Sequence, residues 1–271
     1  MSIYAFLASV AVSEHCKKTF KFLLSFICDC LIIIKIGGSA ISDKHTGADY
    51  SDEVFKRVAA ELPRDEGIIL LLGAGYTGHS IAMKYKLSKL EGNALHWAYL
   101  RYSVSEIAQK LVKTLVNAGL PAVYFSTISS IKTSGGIIKS FDSSNILKFA
   151  EMGFIPVMHS DAPVDLEKGI SIVSSDKIAV ALANDAKARL LIFGSDVDGI
   201  YDNNHNVIKD ARSIPDISKH LWHVNDVSGG IGNKLYEARN LKGTKAVIIN
   251  MRRDGALAAA IKGNEIGTVI S

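Results

Sequence analysis

The chain has 271 residues, of which 48% are hydrophobic and 21% are charged, and 22 glycines stand against 5 prolines. This composition excludes a disordered, collagen-like or disulfide-scaffold protein and suits one large domain or two small ones. Lysine and arginine exceed aspartate and glutamate by 31 − 27 = 4 charges, spread along the chain. So small an excess predicts no nucleic-acid partner and suits a small anionic substrate.

The N-terminal residues 1–30 differ from the rest of the chain. They contain all three cysteines, so no disulfide framework is expected in the main body, and a cytoplasmic setting is predicted. Cys28 and Cys30 lack further Cys or His nearby, so no metal site is predicted. The apolar stretches 2–12 and 20–28 are shorter than the roughly 18–20 residues of a spanning helix. We therefore predict an extension outside the main domain, without stable membrane insertion.

From residue 31 onward, short apolar strands alternate with helical stretches. Strands are predicted at 31–36, 68–72, 122–125, 155–159, 189–193, 246–250 and 266–270, and a hairpin over 162–174. Helices are predicted at 51–62, with Ser51 as N-cap, and at 79–90, 97–118, 143–152, 176–185 and 234–241. This alternation predicts an α/β fold, a three-layer αβα sandwich with a largely parallel central sheet. Ligands of such folds bind beyond the carboxyl ends of the strands.

The first strand ends at a loop suited to binding an anion. Gly37, Gly38 and Ser39 would let backbone N–H groups approach an anion closely, as phosphate sites require. Lys35 lies within the apolar strand, where its charge is costly unless it faces an anion or reaches water at the strand end. Lys44, in the polar loop that follows, has by itself the character of a surface lysine.

The second strand leads into residues 73–79, GAGYTGH, which match the pattern G-x-G-x-x-G. This match keeps a dinucleotide-dependent oxidoreductase open as an alternative. No strand precedes 91–93, however, where such a protein would place an acid on the ribose. His79 lies at a predicted helix N-terminus, a suitable place to bind a phosphate oxygen, although a histidine there is more often a surface residue.

Three further segments carry polar groups at loop ends. Asp176 opens a predicted helix and could either cap it or orient lysines. The turn 196–202 could contact a ribose or magnesium, or be an aspartate-rich turn. A third glycine-rich loop, 227–233, leads Lys234 into a helix. Glycine loops with Lys or His, and no nucleophile beside a base, indicate phosphoryl transfer. The P-loop and protein-kinase signatures are absent.

The ordered motifs KIGGS, GAGYTGH, PVMHSDAPVD, IVSSDKIAVALA, GSDVDGIYD, DVSGGIGNK and IGTVIS resemble the amino acid kinase superfamily, and within it the isopentenyl phosphate kinases. The resemblance covers about 31–271 and implies ATP-dependent phosphorylation of isopentenyl phosphate to isopentenyl diphosphate. It implies ATP and Mg²⁺ as cofactors, with Mg²⁺ carried mainly by the ATP phosphates, and a homodimer. It also implies an acceptor-binding half at about 31–185 and a nucleotide-binding half at about 186–271.

The resemblance assigns roles to matching positions. Lys35 and Lys234 would contact the transferred phosphoryl group and the ATP phosphates, and Lys44 would stabilise the transition state. Asp176 would hold the lysines, and His79 would bind the acceptor phosphate. Backbone or nucleotide contacts would come from Gly37, Gly38, Ser39, Gly75, Asp196, Gly199, Tyr201 and Gly230. The acceptor side would also include Ala74, Ser160 and Asp161.

The chain departs from the pattern of the family at three places. Ala74 and Ser160 stand where glycine is usual, and Gly194-Ser195 replaces the usual Leu-Thr. The first two changes lie on the acceptor side, so a fosfomycin kinase-like enzyme or another small phosphate or phosphonate kinase stays open as an alternative. The superfamily also leaves open a uridylate kinase, and a silent binding protein is a further alternative. The predicted wall for an alkenyl tail consists of Ile81, Ala82, Tyr85, Ala94, Ala98, Tyr99 and Ile107.

Overall fold

The computed structural model describes residues 31–43, 45–89, 92–213 and 230–271. The predicted extension over 1–30, Lys44 and residues 227–229 of the third glycine-rich loop lie outside the described residues. Within the described ranges, none of the helices combines the length and apolar character that crossing a bilayer requires.

A seven-stranded sheet lies at the centre of the described chain. In spatial order its strands are β11 (Thr268–Val269), β10 (Lys245–Asn250), β9 (Leu190–Ser195), β1 (Ile32–Ile36), β2 (Ile68–Leu72), β6 (Ile155–His159) and β3 (Ala122–Tyr124). All neighbouring strands are parallel except β10 and β11. The predicted sheet, parallel for most of its width, is confirmed.

Helices cover both faces of this sheet because alternate strand residues point to opposite sides. Ile32 and Ile34 face one apolar cluster, and Ile33 faces the other. The first face packs against α2 (Ser51–Glu61), α4 (Ala94–Asn117) and α8 (Ala256–Ile261). The second packs against α5 (Ser144–Glu151), α6 (Ser175–Ala186) and α7 (Gly230–Ala238). The three-layer αβα sandwich is therefore confirmed. Two further helices, α1 (Gly38–Ile41) and α3 (Gly75–Lys84), directly follow β1 and the loop after β2.

Two short hairpins form a second, four-stranded sheet. Its order is β5 (Ile137–Phe141), β4 (Ile131–Ser134), β7 (Val164–Asp165) and β8 (Gly169–Ile170). The predicted hairpin over 162–174 is confirmed as β7 and β8, which pair antiparallel. The hairpin β4–β5 was not predicted, although a Gly-Gly dipeptide between two short runs is a hairpin signal.

The start of α2 differs from its prediction. The residue before the helix is Tyr50, whose side chain makes no capping hydrogen bond, and Ser51 is already helical. The Ser51 N–H instead donates to Asp49 Oδ1 at 2.8 Å, and the Ser51 hydroxyl accepts from Lys110 Nζ at 2.9 Å. The prediction of Ser51 as N-cap was wrong because Asp49, two residues earlier, satisfies the free backbone donor.

Asp165 fastens the two hairpins of the second sheet together. Its carboxylate accepts hydrogen bonds from the backbone N–H groups of Gly135, Gly136, Glu167 and Lys168 at 2.7–3.0 Å. The Thr133 hydroxyl donates to the same carboxylate. Desolvation opposes the charge, but these hydrogen bonds outweigh it and hold the pKa of Asp165 well below its ordinary value.

We expect Asp165→Asn to lower Tm by several degrees at pH 7, because an amide nitrogen cannot accept the hydrogen bonds that one carboxylate oxygen receives. A lowered folded-state pKa stabilises the fold above the unfolded pKa of about 4, and this contribution is lost as pH falls. The difference in Tm between the two proteins should therefore shrink at pH 3–4. Thermal unfolding at both pH values checks this, with the exposed Asp65→Asn as control. Equal Tm values at pH 7 would contradict the role of Asp165.

Candidate active site

A cleft lies at the carboxyl edge of the central sheet, where four neighbouring parallel strands, β9, β1, β2 and β6, end together. It encloses about 140 Å³. Its lining residues are Lys35, Gly38, Ser39, Gly73, Ala74, His79, Ser160, Ile172, Ser174, Ser175, Asp176, Gly230, Asn233 and Lys234. The structure thus brings together nine of the residues that the resemblance assigns to the site, from five separate segments of sequence.

Two buried lysines share one carboxylate in this cleft. Lys35 Nζ lies 2.8 Å from Asp176 Oδ1, and Lys35 and Lys234 are each only 4% exposed. Lys234 Nζ also donates to the carbonyl of Gly230 at 3.0 Å. Burial opposes ionisation of Asp176, but the two lysines outweigh burial and hold the pKa of this carboxyl below its ordinary value. Three buried charges therefore leave one positive charge in excess, which favours an anionic ligand.

The glycines bring the first two loops into backbone contact. A Cβ atom on Gly73 would lie 2.6 Å from the N atom of Gly38, and one on Gly38 would lie 2.9 Å from the N atom of Gly75. Gly75 also adopts φ = +62°, a conformation that side chains disfavour. Gly37 packs against the carbonyl of Gly194, so it supports the loop from behind. Larger residues at these positions would separate the loops.

Three residues that the resemblance assigns to the acceptor, His79, Ala74 and Ser160, line the cleft. His79 lies near the N-terminus of α3, and its side chain is exposed at the cleft. The Ala74 methyl points toward Gly78 and packs with the apolar cluster behind the loop. The Ser160 hydroxyl is buried and has no hydrogen-bond partner within the described residues. The change from glycine to serine therefore alters the polar lining of the cleft.

Asp161 lies outside the cleft lining, although the resemblance places it on the acceptor side. Its buried carboxylate accepts from Arg101 Nε at 2.8 Å and from the N–H of Ala162 at 2.8 Å. These contacts turn the carboxylate toward α4 and away from the residues that line the cleft. In the structure, Asp161 ties β6 to α4.

The turn after β9 borders the loop after β1 without lining the cleft. Asp196 accepts from the Ser195 hydroxyl at 3.2 Å, and that hydroxyl lies 3.5 Å from the hydroxyl of Ser39. The Tyr201 hydroxyl accepts from the N–H of Asp198 at 3.3 Å. Gly199 adopts φ = +153° and packs against Thr268, whose hydroxyl accepts from the next N–H along the turn.

Sequence reasoning missed Arg252, which follows β10 at the same sheet edge. Its guanidinium donates to the carbonyls of Ser39 and Ala40 at 2.6 and 2.9 Å and lies 4.1 Å from the centre of the Tyr50 ring. These carbonyls end the short helix α1, so Arg252 fixes the loop after β1. Its position after a predicted strand was the available signal.

Met251 explains the departure at Gly194. The end of the Met251 side chain occupies the space that a Cβ atom on Gly194 would need. A leucine at position 194 would therefore collide with Met251 in this chain. The two positions form a packed pair behind Lys35, whose carbonyl is also close to Gly194.

An open cavity of about 560 Å³, with both apolar and charged lining residues, lies between α4 and the second sheet. Its lining residues are Gly92, Ala94, Trp97, Ala98, Arg101, Lys168, Gly169 and Ile170. Of the predicted tail wall, Ala94 and Ala98 line this cavity, and Ile81, Ala82 and Tyr85 belong to the apolar cluster that contains Trp97 and Ile170. Tyr99 is 49% exposed, and Ile107 packs against the core on the sheet, so these two side chains do not line this cavity. The helical rotation of α4 turns both side chains away from the cavity.

Comparison with known proteins gives matches along most of the chain. The model of the amino acid kinase family matches residues 31–250. Isopentenyl phosphate kinase of Methanocaldococcus jannaschii is 29% identical over 260 residues, covering 89% of this chain and 98% of that protein. The Methanothermobacter thermautotrophicus enzyme of the same name is 28% identical over 263 residues, covering 89% and 99%. A solved isopentenyl phosphate kinase structure has a TM-score of 0.74 at 24% identity, covers 89% of this chain and all of that one, and supports the fold. The chain belongs to the amino acid kinase family.

Proposed function

We propose that this chain transfers the γ-phosphoryl group of ATP to isopentenyl phosphate, giving isopentenyl diphosphate and ADP. The observation that carries the proposal is the cleft in which Lys35 and Lys234 share Asp176 beside the helix that bears His79. Two relatives matched over almost their full lengths carry the corresponding name. Membership of the family also removes the basis for the oxidoreductase alternative, because G-x-G-x-x-G alone supported it.

In this mechanism, the cleft overcomes the repulsion between two anionic reactants. Lys35 and Lys234 would neutralise charge on the transferred phosphoryl group, and Asp176 would hold both lysines in place. Lys44, outside the described residues, would stabilise the transition state. The acceptor phosphate is largely ionised at pH 7, since its second pKa is about 6, so no base beside it is needed. The small enclosed volume suits phosphoryl groups rather than complete substrates.

The nucleotide would lie on the side of the cleft next to β9. The proposed contacts are the backbone at Gly37, Gly38, Ser39, Gly75 and Gly230, and the turn that carries Asp196, Gly199 and Tyr201. The excess positive charge of the cleft fits the phosphates of ATP. Mg²⁺ would enter on those phosphates and neutralise part of their charge. Among the described lining residues, the carboxylate is that of Asp176, and it already forms an ion pair with Lys35.

The order of strands supports a division into an acceptor half and a nucleotide half. In the central sheet, the strands from about 31–185 (β1, β2, β6 and β3) lie next to one another. The strands from about 186–271 (β9, β10 and β11) form the other end of the sheet. The cavity beside α4 lies in the first half, and its apolar lining residues, Ala94, Trp97, Ala98 and Ile170, would contact the alkenyl tail. A homodimer is proposed from the resemblance alone, and a cytoplasmic location from the absence of cysteine in the main body.

The proposal is tested by ADP release from Mg-ATP with isopentenyl phosphate, dimethylallyl phosphate, fosfomycin and UMP in parallel. We expect turnover with the two alkenyl phosphates and only background with the other two. A reaction without acceptor and the Lys234→Ala variant serve as controls for uncoupled ATP hydrolysis and contaminating kinases. Turnover confined to fosfomycin or UMP would overturn the assigned acceptor.

A further inference from the structure

The hydroxyl of Ser160 is a buried polar group of the cleft that makes no hydrogen bond to the described residues. Ser160 is 8% exposed, its Oγ is buried, and the described residues give that atom no hydrogen-bond partner. The backbone of the same residue is fully engaged. Its N–H donates to the carbonyl of Leu72 at 2.9 Å, and its carbonyl accepts from His159 Nδ1 at 2.7 Å. Since buried hydroxyls are nearly always paired, this one points to a ligand.

The neighbouring histidine fixes the orientation of Ser160. A carbonyl can only accept, so His159 Nδ1 carries the proton, and His159 Nε2 accepts from the Tyr124 hydroxyl at 2.8 Å. The Thr127 hydroxyl donates to the His159 carbonyl at 2.6 Å. Burial lowers the pKa of His159, which keeps the ring neutral and this pattern intact at pH 7. The residue before Ser160 is therefore held at three points.

The position of Ser160 at the edge of the sheet indicates which of the two substrates its hydroxyl would contact. Ser160 follows β6, which pairs with β2 and is separated from β9 by β2 and β1. Its lining neighbours on that side are Ala74, in the loop after β2, and His79, in the helix α3 that follows this loop. The turn that carries Asp196 lies at the other side, after β9. The hydroxyl therefore lies on the acceptor side of the cleft.

We propose that Ser160 is a specificity-determining residue whose hydroxyl donates a hydrogen bond to a phosphate oxygen of the acceptor. This inference rests on the proposed function and deepens it. The bond gives the buried hydroxyl a partner that the described residues do not supply. It also gives this chain an acceptor contact that glycine, the residue usual at this position in the resembling family, cannot make.

The test compares Ser160→Ala and Ser160→Gly with the unchanged protein. We expect both variants to raise KM for isopentenyl phosphate about tenfold, the loss typical of one hydrogen bond to a charged group, with KM for ATP unchanged. Tm of the free protein should stay the same or rise, because the hydroxyl makes no hydrogen bond to any described residue. Ser171→Ala is the matched control: its buried hydroxyl pairs with that of Thr133 at 2.8 Å. That variant should lower Tm and leave both KM values unchanged.

The outcomes separate this inference from the proposed function. If the unchanged protein converts isopentenyl phosphate and Ser160→Ala keeps its acceptor KM, the hydroxyl contact is wrong and the function stands. If no alkenyl phosphate is converted, the proposed function is wrong. The hydroxyl contact is then tested separately, by the rise in Tm that inorganic phosphate causes. A smaller phosphate-induced rise in Ser160→Ala than in the unchanged protein supports the contact, and an equal rise overturns it.

Discussion

Replacing Lys35 with methionine is expected to lower kcat for ADP release about 10²–10³-fold, the usual effect of removing one group that stabilises transition-state charge in a closed site. Lys35 is buried at the end of β1 and pairs with Asp176 at 2.8 Å. Methionine preserves the length of the side chain and removes the charge. The cleft would then hold one lysine and one carboxylate, with no excess positive charge to offset the transferred phosphoryl group.

The matched control is Lys113→Met, on the exposed side of α4, which should leave kcat unchanged. Loss of one partner of a buried pair also destabilises a fold, so Tm of both variants is measured first. Asp176 keeps Lys234 nearby, and we expect Lys35→Met to remain folded at 25 °C. Lys35→Arg separates charge from shape, because it keeps the charge and should recover part of the lost kcat. A folded Lys35→Met with nearly unchanged kcat would contradict the role of Lys35.

Replacing His79 with alanine is expected to raise KM for isopentenyl phosphate by 10–100-fold and leave KM for ATP within about twofold. A group at the N-terminus of a helix binds phosphate together with free backbone N–H groups, and a charge-assisted hydrogen bond contributes about 1.5–3 kcal/mol. His79 lines the cleft near the start of α3, on the β2 side. Steady-state kinetics with each substrate varied in turn measures both constants.

The control for His79 is His205→Asn, at an exposed turn with φ = +62°, a conformation that asparagine tolerates better than alanine. That variant should leave both KM values unchanged. An equal rise of both KM values in His79→Ala would show that the histidine serves the whole site. The acceptor role assigned to it would then be wrong.

The sequence predicted the central sheet because its strands are short apolar runs that end at glycine or polar loops. Runs such as IIIKI and IILLL leave little alternative to buried parallel strands. The same logic placed Lys35 and Ser160 at one sheet edge, since parallel strands end together. The resemblance supplied the roles of Lys35, His79 and Lys234, because the spacing of these residues alone is compatible with several functions.

Other features depend on contacts between distant segments, which no local pattern encodes. Arg252 meets the carbonyl of Ser39 across 213 residues. Glycine fits at position 194 because the side chain of Met251, distant in sequence, fills the space that a Cβ atom there would need. The direction of the Ala74 methyl follows from the tight turn into α3, where the space beside Gly78 receives it. Such features become visible only when the fold places both partners together.

The proposed reaction joins a second phosphoryl group to the acceptor phosphate in the cleft. The most direct measurement is ³¹P NMR of isopentenyl phosphate incubated with Mg-ATP and the unchanged protein, with Lys35→Met as control. We expect the monophosphate signal to be replaced by two coupled diphosphate signals, in step with ADP formation, and far more slowly in the variant. Orthophosphate and ADP with the monophosphate signal intact would contradict the account, because the protein would then hydrolyse ATP without transferring its phosphoryl group.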